Sequence, residues 1–159
     1  PFTLYTQYAS SNDASIIWGY VVPDDILAGD YLIVHSGHSS AFQRYFGAVF
    51  SGVDKNNPVV DAKSKREGVA TADGISQTVN TIENGWVHDI VRANPAKSAG
   101  SGQTAYYNVT DRPGLSYANQ PVSAGTKTMS WSWTDSHGVH SVVSLRPYKK
   151  SGGARIIMF

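Results

Sequence analysis

The chain has 159 residues, with 13 Lys and Arg against 12 Asp and Glu, a formal net charge of +1 and no cysteine. The length is that of one domain, and the near-neutral balance argues against a protein whose affinity rests mainly on neutralising phosphates. The lack of cysteine excludes disulfide staples, cysteine-held zinc and a thiol nucleophile.

The opening residues Pro1, Phe2, Thr3, Leu4 and Tyr5 show no basic stretch followed by an apolar one, so no secretory leader is read here, and a cytoplasmic start is expected. The longest clear apolar run, Tyr31-Leu32-Ile33-Val34, is strand-sized and far short of the ~20 residues that span a bilayer. From there the texture is all-β. Runs rich in Val, Ile, Tyr, Trp and Thr are punctuated by Gly, Pro, Asn, Asp and Ser. Strands are predicted at residues 3–8, 15–20, 30–35, 45–51, 76–80, 86–92, 104–109, 127–133, 140–146 and 154–158. Residues 41–46 and 61–67 are expected to form at most a turn or two of helix each.

The clearest alternation lies late in the chain. Lys127, Met129, Trp131 and Trp133 share one face, and Thr126, Thr128, Ser130 and Ser132 the other. Glu83-Asn84-Gly85 reads as the tight turn of a hairpin between its flanking strands, because Asn-Gly supplies the positive φ angles of a type I′ turn. Residues 96–103 read as an exposed loop. The expected fold is an all-β, antiparallel two-sheet β-sandwich in a single domain over residues 1–159. Residues 148–159 are expected to form a C-terminal strand extension involved in assembly.

Four segments, taken in order, carry a resemblance. Val22 to Val34 contains a P-x-x-x-x-x-G-D-x-L lead into a strand. Phe50 to Asp61 contains S-G-V-D-x-x-N-P, residues 71–81 run on toward Trp86 and Ile90, and residues 141–147 end in L-R-P. Together they resemble a jelly-roll-like β-sandwich domain of tailed-bacteriophage virion proteins and bacterial surface proteins. The resemblance covers roughly Trp18 to Pro147. It implies a scaffold for assembly or adhesion, with no inherited active site. The physics of each piece is structural: Gly29-Asp30 turns the chain into a strand, and Asp54 offers its carboxylate to turn donors. Pro147 ends a ladder to which it cannot donate.

Catalytic patterns are weak. His35 and His38, and His137 and His140, are spaced three apart. With Asp30 or Asp135 they contain the ligand types of a zinc or copper site. Residues three apart on a strand face opposite ways, so polar strand ends are the better reading and no cofactor is expected. Asp135-Ser136-His137 has the residue types of a hydrolase triad without a nucleophile elbow, Glu67 and Glu83 sit in turn-like contexts, and Gly100-Ser101-Gly102 lacks the strand-to-helix frame of a phosphate loop. The basic groups Lys63, Lys65 and Arg66, and later Lys149, Lys150 and Arg155, read as solvated loops, and Asn108-Val109-Thr110 is formally a glycosylation acceptor.

Aromatic residues carry more information, with 4 Trp, 9 Tyr and 5 Phe. Trp131 and Trp133, with Tyr106 or Trp86 as neighbour, either fill the core or form an exposed platform on which sugar rings stack; we favour the core. Tyr5, Tyr8, Tyr20, Tyr45, Tyr117 and Tyr148 are candidate interface residues, as are Ile156, Ile157 and Phe159, whose apolar ending could pair with a neighbour's sheet edge. The expected protein is therefore a non-enzymatic virion subunit, a capsid decoration or accessory protein. It would be assembled in the host cytoplasm, contact the major capsid protein or other virion proteins, form a homo-oligomer, and bind neither nucleic acid directly nor membrane. The rival expectation is a carbohydrate-binding or adhesion module.

Overall fold

The computed structural model describes residues 3–9, 14–22, 48–68, 72–93, 95–110, 114–134, 136–148 and 154–158. Among these residues no helix forms. The strands are β1 (Thr3–Ala9), β2 (Ala14–Val22), β3 (Ala48–Val53), β4 (Val59–Glu67), β5 (Gly74–Thr81) and β6 (Trp86–Ala93). After them come β7 (Ser98–Ala99), β8 (Gln103–Asn108), β9 (Gly114–Ala118), β10 (Gly125–Ser132), β11 (Gly138–Leu145) and β12 (Ala154–Met158).

Strands β4 to β11 form a jelly roll. The first and last of them pair antiparallel, as do β5 with β10 and β6 with β9, and β7 lies beside β8. A long two-stranded ribbon folded back on itself gives these nested partners and splits them between two sheets. One sheet has the order β4-β11-β6-β9-β8, and the other β5-β10-β7. A further sheet, ordered β1-β2-β12-β3, comes from both ends of the described chain and packs against β4, β11 and β6.

Strand β11 shows why the five-stranded sheet is central. All eight of its residues are buried. Val143 and Leu145 pack with Ile17 and Phe50 of the terminal sheet, while Val142, on the opposite face, packs with Val79 of β5 and Met129 of β10. The outer sheet is one-sided: in β5 the residues Ile75, Gln77, Val79 and Thr81 point inward, while Ser76, Thr78 and Asn80 are exposed. On β10, Met129 and Trp131 are buried with Trp133 just beyond the strand, and the alternation read from sequence holds.

Several expectations are corrected. Residues 61–67, read as a short helical turn, belong to strand β4, whose residues alternate between sheet faces and pair in register with β11. The Glu83-Asn84-Gly85 turn forms, with Asn84 at φ +58° and Gly85 N–H donating to Ile82 O at 3.0 Å. It does not close a hairpin. Strands β5 and β6 lie in different sheets, because both carry buried side chains that must face each other across the core instead of sharing a ladder. Strand β7 falls inside the predicted loop, and β9 was not anticipated. The strand predicted at 30–35 and the turn at 41–46 lie outside the described residues.

Two of the segments that carry the resemblance dock on each other. Asp54 Oδ1 accepts the N–H groups of Asn56 (2.9 Å) and Asn57 (3.2 Å) as the chain passes from the terminal sheet to β4. Gly52 adopts φ +72°, a conformation that a side chain would strain. The stretch after β11 closes over this turn: Arg146 N–H donates to Pro58 O at 2.7 Å, Asp54 N–H to Arg146 O at 3.0 Å, and Arg146 Nε to Asn57 O at 3.1 Å.

Candidate functional site

Two adjacent residues of β6 point to opposite faces of the central sheet, and each organises a cluster. Asp89 faces the outer sheet and is fully buried. Its Oδ1 accepts Ser116 N–H at 3.0 Å and the Ser116 hydroxyl at 2.6 Å. Its Oδ2 accepts His140 Nε2–H at 2.8 Å and Trp131 Nε1–H at 2.9 Å, with Gln103 Nε2 farther away at 3.4 Å. Gln103 itself donates to Ser116 Oγ at 2.8 Å and accepts Ser130 N–H at 2.7 Å. One carboxylate thus joins β6, β9 and β11 of the central sheet to β10 across the core. A buried carboxylate is tolerable only when its lone pairs are satisfied in this way. Among the described residues His140 Nδ1 has no hydrogen-bond partner.

His88 faces the other side, also buried, against Phe50 with ring centroids 5.5 Å apart. Burial lowers its pKa from 6.5 to about 4, outweighing the opposing influence of Asp89 and of a hydrogen bond to the Ser116 backbone. Tyr106 stacks on His88 (5.6 Å, 25°) and on Tyr117 (6.1 Å, 27°), with its hydroxyl 3.2 Å from His88 Nε2. Burial of this phenol, seconded by the charge of Asp89, pushes its pKa above the usual tyrosine range. The backbone explains the placement. The β8–β9 register slips between Ala105 and Tyr107, leaving Tyr106 as the inserted residue of a bulge, a device that re-aims a side chain. Phe50 also meets Trp86 edge-on at 5.7 Å, so a row of rings runs from Trp86 through Phe50 and His88 to Tyr106 and Tyr117.

The depressed pKa of His88 makes stability depend on pH. The unfolded chain takes up this proton below about 6.5, whereas the folded chain resists until about 4. Between these values the unfolded state binds more protons, so stability falls as pH falls. Going from pH 7 to pH 5 is expected to remove about 2 kcal/mol through this group. Urea unfolding of wild type and His88→Phe at both pH values checks it: the variant should lose distinctly less.

Other residues named from sequence fall as follows. Trp131 (2% exposed) and Trp133 (5% exposed) lie between the central and outer sheets. They do not form an exposed sugar platform, because β10 turns that face inward onto Val91 and Ala93. Trp86 is partly buried against the terminal sheet. His140 is engaged by Asp89, and His137 is half-buried. Among the described residues no three His, Asp or Glu side chains come together as a metal site would require. His35, His38, Asp30, Asp135, Lys149 and Lys150 lie outside the described residues.

The apolar C-terminal ending is corrected as an edge. Strand β12 pairs with β2 on one side and β3 on the other, so the backbones of Ile156 and Ile157 are already in ladders on both sides. Tyr148 is half-buried and its N–H donates to Gly52 O at 2.7 Å. Tyr5 and Tyr8 sit on β1, which lies at the edge of the terminal sheet, and Phe159 lies outside the described residues. The Asp89 cluster was not anticipated, and Tyr106, read as a neighbour of Trp131 and Trp133 on a sugar platform, stacks instead on His88 and Tyr117. A lone Asp inside Trp-Val-His-Asp-Ile-Val-Arg-Ala was the available signal for the first, since a charge at an inward strand position demands partners.

Comparison of the chain with protein-family models, with curated proteins and with solved structures gives no match.

Proposed function

We propose that the chain is a non-enzymatic structural subunit of a tailed-bacteriophage virion, a decoration or accessory protein acting through contacts with the major capsid protein or its neighbours. A jelly roll alone serves capsid subunits, lectins and cupins alike, so the fold does not choose between them. The observation that carries the reading is the use made of the buried polar groups. The His140–Asp89 pair is wholly buried, and its carboxylate is saturated by donors that tie the sheets together. The ordered segments resembling phage sandwich domains add to it, and two of them close one corner of the fold. A subunit that binds only the assembled lattice stabilises that lattice by mass action. Mass spectrometry of purified virions should find the chain at a fixed ratio to the capsid subunit; its absence from particles would end the proposal.

The carbohydrate reading rests on one feature, the half-exposed Tyr106 stacked beside Tyr117. Titration with polysaccharide distinguishes the two. A sugar module would show a fluorescence change abolished by Tyr106→Ala, whereas the structural subunit should show none. In either case iodide should leave the emission of Trp131 and Trp133 largely unquenched.

A further inference from the structure

We infer that Asn84 is a self-modification site, at which the neighbouring Gly85 nitrogen converts the side-chain amide to an acid, and that the closed corner between β5 and β6 holds the reaction dormant until it opens. The inference is independent of what the chain binds.

The fold imposes the reactive pair. Asn84 stands at φ +58°, a left-handed conformation that asparagine tolerates better than most residues with a side chain. Next to it, a Cβ on Gly85 would lie 2.8 Å from Leu145 O and 3.0 Å from Ile82 O, both backbone atoms, so glycine is required there as well. Asn84 is the one asparagine of the chain followed by glycine. A glycine nitrogen carries no side chain beside it to hinder attack on the preceding amide, which makes this dipeptide the easiest in the sequence to cyclise. Asn108 precedes Val109 and Asn119 precedes Gln120, whose side chains crowd the same approach. Asn57 and Asn94 precede prolines, which have no N–H to give up.

The reaction consumes only solvent water. Gly85 N attacks Asn84 Cγ, and a C–N bond forms as the proton on nitrogen passes to solvent. The Cγ–Nδ2 bond breaks and ammonia leaves. Water then opens the resulting cyclic imide at either carbonyl. One opening gives aspartate; the other gives isoaspartate, in which the side-chain carbons have entered the backbone.

The closed corner opposes the first step. Asn84 is exposed, but Gly85 is buried and its N–H donates to Ile82 O at 3.0 Å. The attacking nitrogen must give up both this bond and its proton. The turn is also tied to the stretch between β9 and β10. Asn84 N–H donates to Val122 O at 2.8 Å, Gln120 Nε2 to Gly85 O at 2.9 Å, the Thr81 hydroxyl to Ser123 O at 2.7 Å and Ala124 N–H to Glu83 Oε2 at 3.1 Å. Conversion therefore waits on local opening, and its rate falls with the fraction of molecules open. The isoaspartate product records that opening permanently. Its extra methylene lies between the Asn84 N–H and the Gly85 carbonyl, so the bonds to Val122 and Gln120 fall out of step. Val122, packed with Val79 and Met129 in the core, then loses its anchor.

The full chain is incubated folded and, in parallel, unfolded in guanidinium chloride at the same mildly alkaline pH. The mass gain of amide-to-acid conversion is followed on the peptide that carries Asn84. The unfolded chain should convert at least about tenfold faster than the folded one. Gln120→Ala, at an exposed position, should speed conversion of the folded chain about fivefold, the worth of one net hydrogen bond, and leave the unfolded rate alone. Asn84→Gly accepts the left-handed φ but has no amide, so its peptide should show no gain. Equal rates in the folded and unfolded chain, no conversion in denaturant, or a folded Gln120→Ala chain no faster than wild type overturns the inference.

Discussion

Replacing Asp89 with alanine is expected to destabilise the fold by about 3–5 kcal/mol, the range for removing one partner from a buried charged hydrogen-bond cluster. The loss is large because of what remains behind. Ser116 N–H, the Ser116 hydroxyl, Trp131 Nε1–H and His140 Nε2–H all lose their acceptor in a place water does not reach. Each donor buried without a partner costs about 1–3 kcal/mol before the surroundings relax. Removing a donor is a different matter. His140→Leu takes one bond from a carboxylate that keeps three others and replaces with an apolar side chain a ring whose Nδ1 has no partner among the described residues. Its cost should be clearly the smaller of the two. Urea unfolding of both variants checks the asymmetry, and equal losses would show that the carboxylate is not the hub of the cluster. Asp89→Asn should fall between them: it keeps one acceptor oxygen but sets an N–H against donors on the other side.

The same residue shows how much of the molecule could be read in advance. The alternation in β10 and β5 is strong because one face of each is wet, and a period of two survives in the amino-acid types. The corner at Asp54 was also legible, since Asx turns and proline act through residues next to them in the chain. What could not be read depends on partners far away in sequence. Strand β4 looked unlike a strand because its charges sit at an edge, where alternation is not enforced by burial on both faces. The turn at Asn84 was legible but its consequence was not: the same geometry serves a hairpin or a crossing between sheets, and Asn84 N–H donating to Val122 O at 2.8 Å belongs to the crossing. The bulge at Tyr106 exists only relative to β9, so nothing in residues 103–108 alone announces it. The ending Ile156-Ile157 read as a spare edge because both its ladder partners, β2 and β3, lie about a hundred residues or more upstream.

The second large effect concerns the two buried tryptophans and the glycines that make room for them. A Cβ on Gly114 would stand 2.7 Å from Trp131 Cη2, 2.8 Å from Trp131 Cζ3 and 3.0 Å from Val91 Cγ1. One on Gly138 would stand 2.6 Å from Trp133 Cη2 and 2.9 Å from Arg92 O. Each ring therefore occupies a notch left by a missing side chain in the central sheet. Trp131→Ala should cost about 3–5 kcal/mol by opening a cavity in the core, and it also removes one donor from Asp89. Gly114→Ala should cost about 1–3 kcal/mol by overpacking. The informative variant is the pair Gly114→Ala with Trp131→Phe. Phenylalanine lacks the outer part of the indole that the new methyl would strike, so the double variant should be more stable than the sum of the single losses by at least about 0.5 kcal/mol. Strict additivity in a urea-unfolding cycle would mean that the ring and the glycine do not share one space, and that the layers meet differently at this point.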